Sequence, residues 1–155
     1  MAAIQREGPV SHKKPKQSGS RYHYTSNAEM NEILTEFVQE AEKENIWVSM
    51  EASDLKENRI GHLLCELVGT ALDTARRNCI ETTPPRGRFI KFHSREMQQQ
   101  LLIKIEFSCE DREIRKFDKN IVRIREIIEA TGGYLKIQLE GETGSIRIAI
   151  PDEAN

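Results

Sequence analysis

The sequence predicts an α/β fold of the α+β kind: a two-layer sandwich of one mixed five-stranded sheet with three helices on one face. Two observations carry this. Three segments repeat apolar residues at three-and-four spacing, as a helix with one buried side does. Five short segments alternate apolar and polar residues, as half-buried strands do. Their order is helix, strand, helix, strand, strand, helix, strand, strand, which layers helices against one sheet. A chain of 155 residues suits one domain with one core.

Residues 1 to 24 read as a disordered basic tail. Arg6, Lys13, Lys14, Lys16 and Arg21 face one acid, Glu7. Gly8, Pro9, Pro15, Ser18, Gly19 and Ser20 break any period, and little there can be buried. The first helix follows, capped by Ser26 or Asn27, with Glu29 in its first turn. Ile33, Leu34, Phe37, Val38 and Ala41 form its buried stripe, and Asn45 stops it. Ile46 to Met50 is a short strand, and Glu51 to Glu57 a polar connection.

The central helix spans Asn58 to Asn78. Its stripe is Ile60, Leu63, Leu64, Leu67, Val68, Ala71, Leu72 and Ala75. Asn58 is an N-cap residue by type, and Arg76 and Arg77 suit the negative end of the helix dipole. Glu66 and Thr70, four residues apart, point off the helix side by side next to the stripe. Thr82 to Gly87 is a turn cluster that ends the helix. Arg88 to His93 and Leu101 to Phe107 are strands joined by a polar connection, Ser94 to Gln100. Ser108 to Asn120 reads as a loop. Ile121, Ile124, Ile127 and Ile128 mark the third helix, ended by Gly132-Gly133. Tyr134 to Leu139 and Ser145 to Ile150 are strands around the hairpin loop Glu140 to Gly144.

Composition excludes several classes. No run of 18 apolar residues crosses a membrane, and the N-terminus has no secretory signal. Cys65, Cys79 and Cys109 are odd in number and far apart, which favours reduced thiols in a cytosolic protein over a disulfide frame or a zinc site. The net charge of −2 argues against nucleic-acid binding by the whole domain. A nucleic-acid-binding adaptor working through the basic tail is a weaker reading.

In this order and wording the chain resembles the GHKL group of ATP-binding domains (gyrase, heat-shock ninety, histidine kinase, MutL). It is most similar to the C-terminal catalytic domains of bacterial peptide-sensing histidine kinases. Four segments carry the resemblance across residues 25 to 151: Thr25 to Leu34, Leu63 to Ala75, the pair Phe89 to Phe92 and Leu102 to Ser108, and Ile124 to Ile137 with the ending Ile146 to Pro151. The resemblance makes residues 25 to 155 the ATP-binding domain.

The resemblance also implies a site. The family's central helix carries two polar positions one turn apart. One is a Glu or Asn that handles water or the phosphate end, and the other an Asn that holds magnesium. They fall on Glu66, the candidate catalytic residue, and on Thr70, the candidate metal ligand. Thr70 departs from the pattern, because magnesium prefers charged or carbonyl oxygens. Asp73, on the same helix, joins the nucleotide-side set. The Asn that often follows the family's central strand falls on Phe107, whose ring can fill an adenine pocket. The family's Gly-x-Gly-Leu turn is replaced by Asp118-Lys119-Asn120-Ile121. Asn120 can take glycine's left-handed conformation. Asp118 sets a negative charge where phosphates belong, which Lys119 and Lys116 partly offset. The loop from Cys109 to Phe117 is shorter than the family's lid.

These departures favour a decayed site on a retained fold. The expectation is a histidine-kinase-like protein of bacterial two-component signal transduction, a cytoplasmic pseudoenzyme with weak ATP and magnesium binding. Its partner is then a protein such as a kinase or response regulator, with no membrane. The alternative is a working kinase or ATPase using Glu66 and a magnesium ion. Sensor kinases precede this domain with a membrane region and a histidine-bearing helix pair. Residues 1 to 24 carry neither, so a complete receptor is not expected. His12 and His23 lie in the tail, and His62 and His93 read as edge residues rather than catalysts.

Overall fold

The computed structural model describes residues 24–25, 27–52, 61–110 and 118–151. The basic tail up to His23, Ser26, most of the connection before the central helix, Asn58, Ile60 and the lid residues 111–117 with Lys116 lie outside them. The elements are α1 (Ala28–Lys43), β1 (Trp47–Ala52), α2 (His62–Thr82), a 3-10 turn (Pro85–Gly87), β2 (Phe89–Met97), β3 (Gln100–Ser108), α3 (Lys119–Thr131), β4 (Tyr134–Glu140) and β5 (Thr143–Pro151). The five strands form one sheet in the order β1-β2-β3-β5-β4. β1 runs parallel to β2, with Trp47 opposite Phe89, and every other pair is antiparallel. The sheet is therefore mixed, and α2 is the crossover that a parallel pair requires.

Burial alternates along the strands, so one face is covered. Ile90 and Phe92 on β2, Ile103, Ile105 and Phe107 on β3, and Ile146 and Ile148 on β5 are buried, while Lys91, His93 and Arg147 between them are exposed. Against that inner face lie Leu34 and Val38 of α1, Leu67, Val68 and Ala71 of α2, and Ile124 and Ile127 of α3. Of the central stripe, Leu64 to Ala75 is buried as the periodicity predicts, but Leu63 is 42% exposed. Thr74 and Cys79 are buried as well, because α2 has a neighbouring helix on either flank. Ile137 is only partly buried, since β4 is an edge strand. The three cysteines are free and buried. No helix of the described residues is long and apolar enough to cross a membrane.

Several boundaries differ from the sequence reading. Asn27 caps α1, its Oδ1 accepting from the Met30 N–H at 2.8 Å. Ahead of it, Tyr24 packs against the core and its N–H donates to Asn31 Oδ1. α2 starts at His62 behind Gly61, without a side-chain cap, and continues to Thr82. Arg76 and Arg77 therefore stand more than a turn before the end of α2 and do not serve its dipole. Arg88 takes that role. Its guanidinium donates to the carbonyls of Thr83 and Ile80 at the end of α2 and of Glu44 at the end of α1.

β2 and β3 run on through the predicted polar connection and turn at Gln98-Gln99, both left-handed with φ of 53° and 64°. Asp118 caps α3, so Lys119 and Asn120 are helical and not part of a loop. Asn120 consequently does not adopt the left-handed conformation. At its other end α3 closes on Gly132 in the left-handed conformation, as the glycine pair predicts.

Gly144 lies not in a loop but in β5, directly opposite Phe107. A Cβ at Gly144 would sit 2.5 Å from Phe107 Cζ. Glycine is needed there for the ring to lie across the strand. Gly144→Ala should therefore lower stability by about 1–3 kcal/mol through overpacking. Leu67→Ala, at a wholly buried position, should cost roughly 2–5 kcal/mol through the cavity it leaves. Chemical denaturation of both variants checks this, and an unchanged midpoint in either would show that the buried face is misassigned.

Candidate nucleotide site

One edge of α2 faces α3, and the side chains the family resemblance singles out lie along it. Glu66, Thr70, Asp73 and Arg77 follow at steps of four, three and four residues, which keeps them on one side of a helix. All four are half-buried. The partners across the seam come from α3 and its cap in reverse order, so the two elements meet antiparallel.

Glu66 receives two hydrogen bonds from Arg123, Nε to Oε2 at 2.6 Å and Nη2 to Oε1 at 2.8 Å. Asp73 Oδ2 accepts from Asn120 Nδ2 at 2.8 Å. Arg77 Nη2 donates to both oxygens of Asp118, at 2.8 and 3.0 Å. Arg77 Nε also reaches Asp73 Oδ2 at 3.2 Å, and Arg76 joins Asp73 to Glu44 at the end of α1. Each carboxylate on the seam has at least one arginine.

Charge pairing sets the protonation of these acids. The hydrogen bonds from Arg123 hold the Glu66 carboxyl below its ordinary range. Burial alone would raise Asp73, but the hydrogen bonds from Asn120 and Arg76 outweigh it, so this carboxyl too is held down. A carboxylate held ionised by a bidentate guanidinium is a weak general base, because its proton affinity is low. Glu66 is thus a seam residue in this structure before it is a catalyst.

The start of α3 is the natural place for a phosphate, since helix N-termini attract anions through free N–H groups and the dipole. Here the chain supplies its own anion. Asp118 Oδ1 accepts from the Asn120 N–H at 2.7 Å while Arg77 covers the same carboxylate. A triphosphate brought to this end would meet a carboxylate already in place, with its charge already matched. Lys119 is exposed at the first position of α3 and has no carboxylate partner among the described residues. Thr70 stands between Glu66 and Asp73, and a single hydroxyl beside two occupied carboxylates is a poor donor set for magnesium. Among the described residues no cluster of three or more His, Cys, Asp or Glu could hold a metal ion. The described residues of this seam are a poor fit for a magnesium–triphosphate group.

Phe107 is not on this seam. It lies in β3, wholly buried, with its ring over Gly144. The sequence reading also did not include Arg77 as a site residue, and it passed over Arg123. Arg77 had a local signal, the spacing of four from Asp73. Arg123 had none, because its partner Glu66 is 57 residues away.

No family model matches the chain, and no curated protein matches its sequence. Solved structures do match. The Acinetobacter baumannii histidine kinase AdeS superposes with a TM-score of 0.64 at 15% identity, covering 82% of this chain and 64% of that one. The histidine kinase domain of a blue-light-activated kinase from Erythrobacter litoralis gives 0.63 at 14% identity, covering 79% and 60%. The chain thus spans under two thirds of the length of these two. The catalytic domain of the histidine kinase ThkA, in a nucleotide-free form, gives 0.59 at 18% identity and covers 80% of this chain and 90% of that domain. The fold of this chain is that of the histidine kinase catalytic domain, the GHKL-type fold.

Proposed function

We propose that the chain is a histidine-kinase-like module of bacterial signal transduction whose nucleotide site is closed by its own side chains. In this reading it binds magnesium–ATP weakly or not at all and acts in the cytoplasm on a protein partner, a kinase or a response regulator. The observation that supports it is the seam itself. Glu66, Asp73 and Asp118, the three acids at the expected site, are each held by arginine or asparagine from the chain. A nucleotide must break those pairs before it gains any contact of its own. Phe107 adds to the closure in this reading by filling the space that the adenine takes in the family.

A working kinase or ATPase would need Glu66 free to take a proton and a second ligand to hold the metal. Arg123 opposes the first requirement, and Thr70 does not meet the second. A titration calorimeter separates the two readings. Magnesium–ATP should bind in the high-micromolar range or weaker, on the order of 5 kcal/mol. Thr70→Asn together with Asp118→Gly restores an amide oxygen for the metal and removes the carboxylate from the start of α3. That pair should tighten binding by roughly tenfold, about 1.4 kcal/mol. Tight, magnesium-dependent binding by the unmodified chain would instead support the active enzyme.

A further inference from the structure

The outer face of the sheet is the second place where charge collects. Register decides which side chains share it. His93 on β2 stands opposite Lys104 on β3, Lys104 opposite Arg147 on β5, and Arg147 opposite Lys136 on β4. Four basic side chains therefore stand in one row, on neighbouring strands about 4.8 Å apart. The next row is Arg95, Leu102, Ala149 and Tyr134. The shorter Leu102 and Ala149 stand between the long Arg95 and Tyr134, and the face is hollow there. The hollow has a volume of about 540 Å³ and is lined by Arg95, Lys104, Tyr134 and Arg147 around that apolar floor.

Tyr134 is 59% exposed. Arg95 and Arg147 are exposed and have no carboxylate partner among the described residues. Two acids share this face: Glu106 on the central strand β3, 3.3 Å from Lys104, and Glu51 on β1, 3.9 Å from His93. The net charge of −2 conceals the basic face because acids gather on the helical layer, where Glu29, Glu32, Glu36 and Glu40 lie exposed along α1.

We propose that this basic hollow binds single-stranded nucleic acid, with phosphates on Arg95, Lys104 and Arg147 and a base stacked on Tyr134. Two features of the face select that partner. Arg95 and Arg147, with Lys104 on the strand between them, match a chain of phosphates, which is attracted from a distance and held by many contacts. An exposed aromatic ring beside an apolar floor matches the flat face of an unstacked base. An acidic peptide uses the first feature and leaves the second idle. A duplex keeps its bases stacked and cannot use the ring.

The test is fluorescence anisotropy of the full chain with a labelled oligothymidylate of about 12 nucleotides, a length within the usual single-strand site range. Binding should weaken with salt, with a log–log slope of about −2 for three phosphate contacts. Arg95→Glu with Arg147→Glu should weaken it at least tenfold, on the order of one contact pair lost. Tyr134→Ala, at an exposed edge position, should weaken it by about tenfold. Lys43→Glu, on α1, should leave it nearly unchanged, and thermal melts should show every variant folded. Absence of binding overturns the proposal. Binding that ignores both sheet variants also overturns it and assigns the strand to the basic tail. Equal binding of a duplex removes the base from Tyr134, and equal binding of oligoglutamate makes the partner an acidic protein. Self-association of the chain that Arg95→Glu abolishes would make the partner a second copy, docked through its acidic α1.

Discussion

The parallel pairing of β1 with β2 is the constraint on which the rest depends. Two parallel neighbours cannot be joined by a hairpin, so the chain must cross the sheet between them. α2 makes that crossing and packs on β3, the middle strand, and on its neighbour β2. Its apolar stripe then meets the inner face, and its two flanks are left for α1 and α3. Without the parallel pair there would be no reason for one helix to be central. The antiparallel remainder of the sheet is local by comparison, made of two tight hairpins joined through the pairing of β3 with β5.

A central helix has edges as well as a face, and a row of polar and charged side chains lies along one of them. Where α2 meets α3, three polar contacts run antiparallel across the seam: Glu66 with Arg123, Asp73 with Asn120, and Arg77 with Asp118. Half-buried ion pairs add little to stability by themselves. What they do is satisfy each other. Each pair matches a charge within the chain, and Asp118 caps the start of α3 through the Asn120 N–H. Within a fold shared with histidine kinase catalytic domains, these pairs make an interface between two helices.

Much of the fold was legible in the sequence because burial against a flat sheet leaves a simple period. Leu67, Val68 and Ala71 follow the helical spacing, and Phe92, Ile103 and Ile105 the strand alternation, since each has one side to bury. The misread boundaries share a different cause. Gln98-Gln99 takes left-handed angles without the Asn-Gly wording such turns usually carry, so the hairpin looked like a long connection. Gly144 looked like a loop residue, while the ring of Phe107 across the strand is what demands glycine there. Asp118 looked like an obstacle in a loop and proved to be the cap of a helix. The seam between α2 and α3 was legible in the spacing of its residues and not in its pairings. Glu66, Thr70 and Asp73 could be placed on one helix edge by spacing. That Arg123 closes over Glu66 is a long-range contact, and no local pattern announces it.

The central claim is that the seam is closed and stays closed. Nuclear magnetic resonance of the arginine side-chain Nε–H groups reads it directly, because Arg123 Nε points at Glu66 and Arg77 Nε at Asp73. Both signals should be shifted by their carboxylates and slow to exchange with water. They should keep their positions when magnesium–ATP is added at a low-micromolar concentration, enough to fill a tight site but far below the dissociation constant expected here. Movement of both signals on that addition, with faster exchange, would mean that nucleotide opens the seam and would contradict the account.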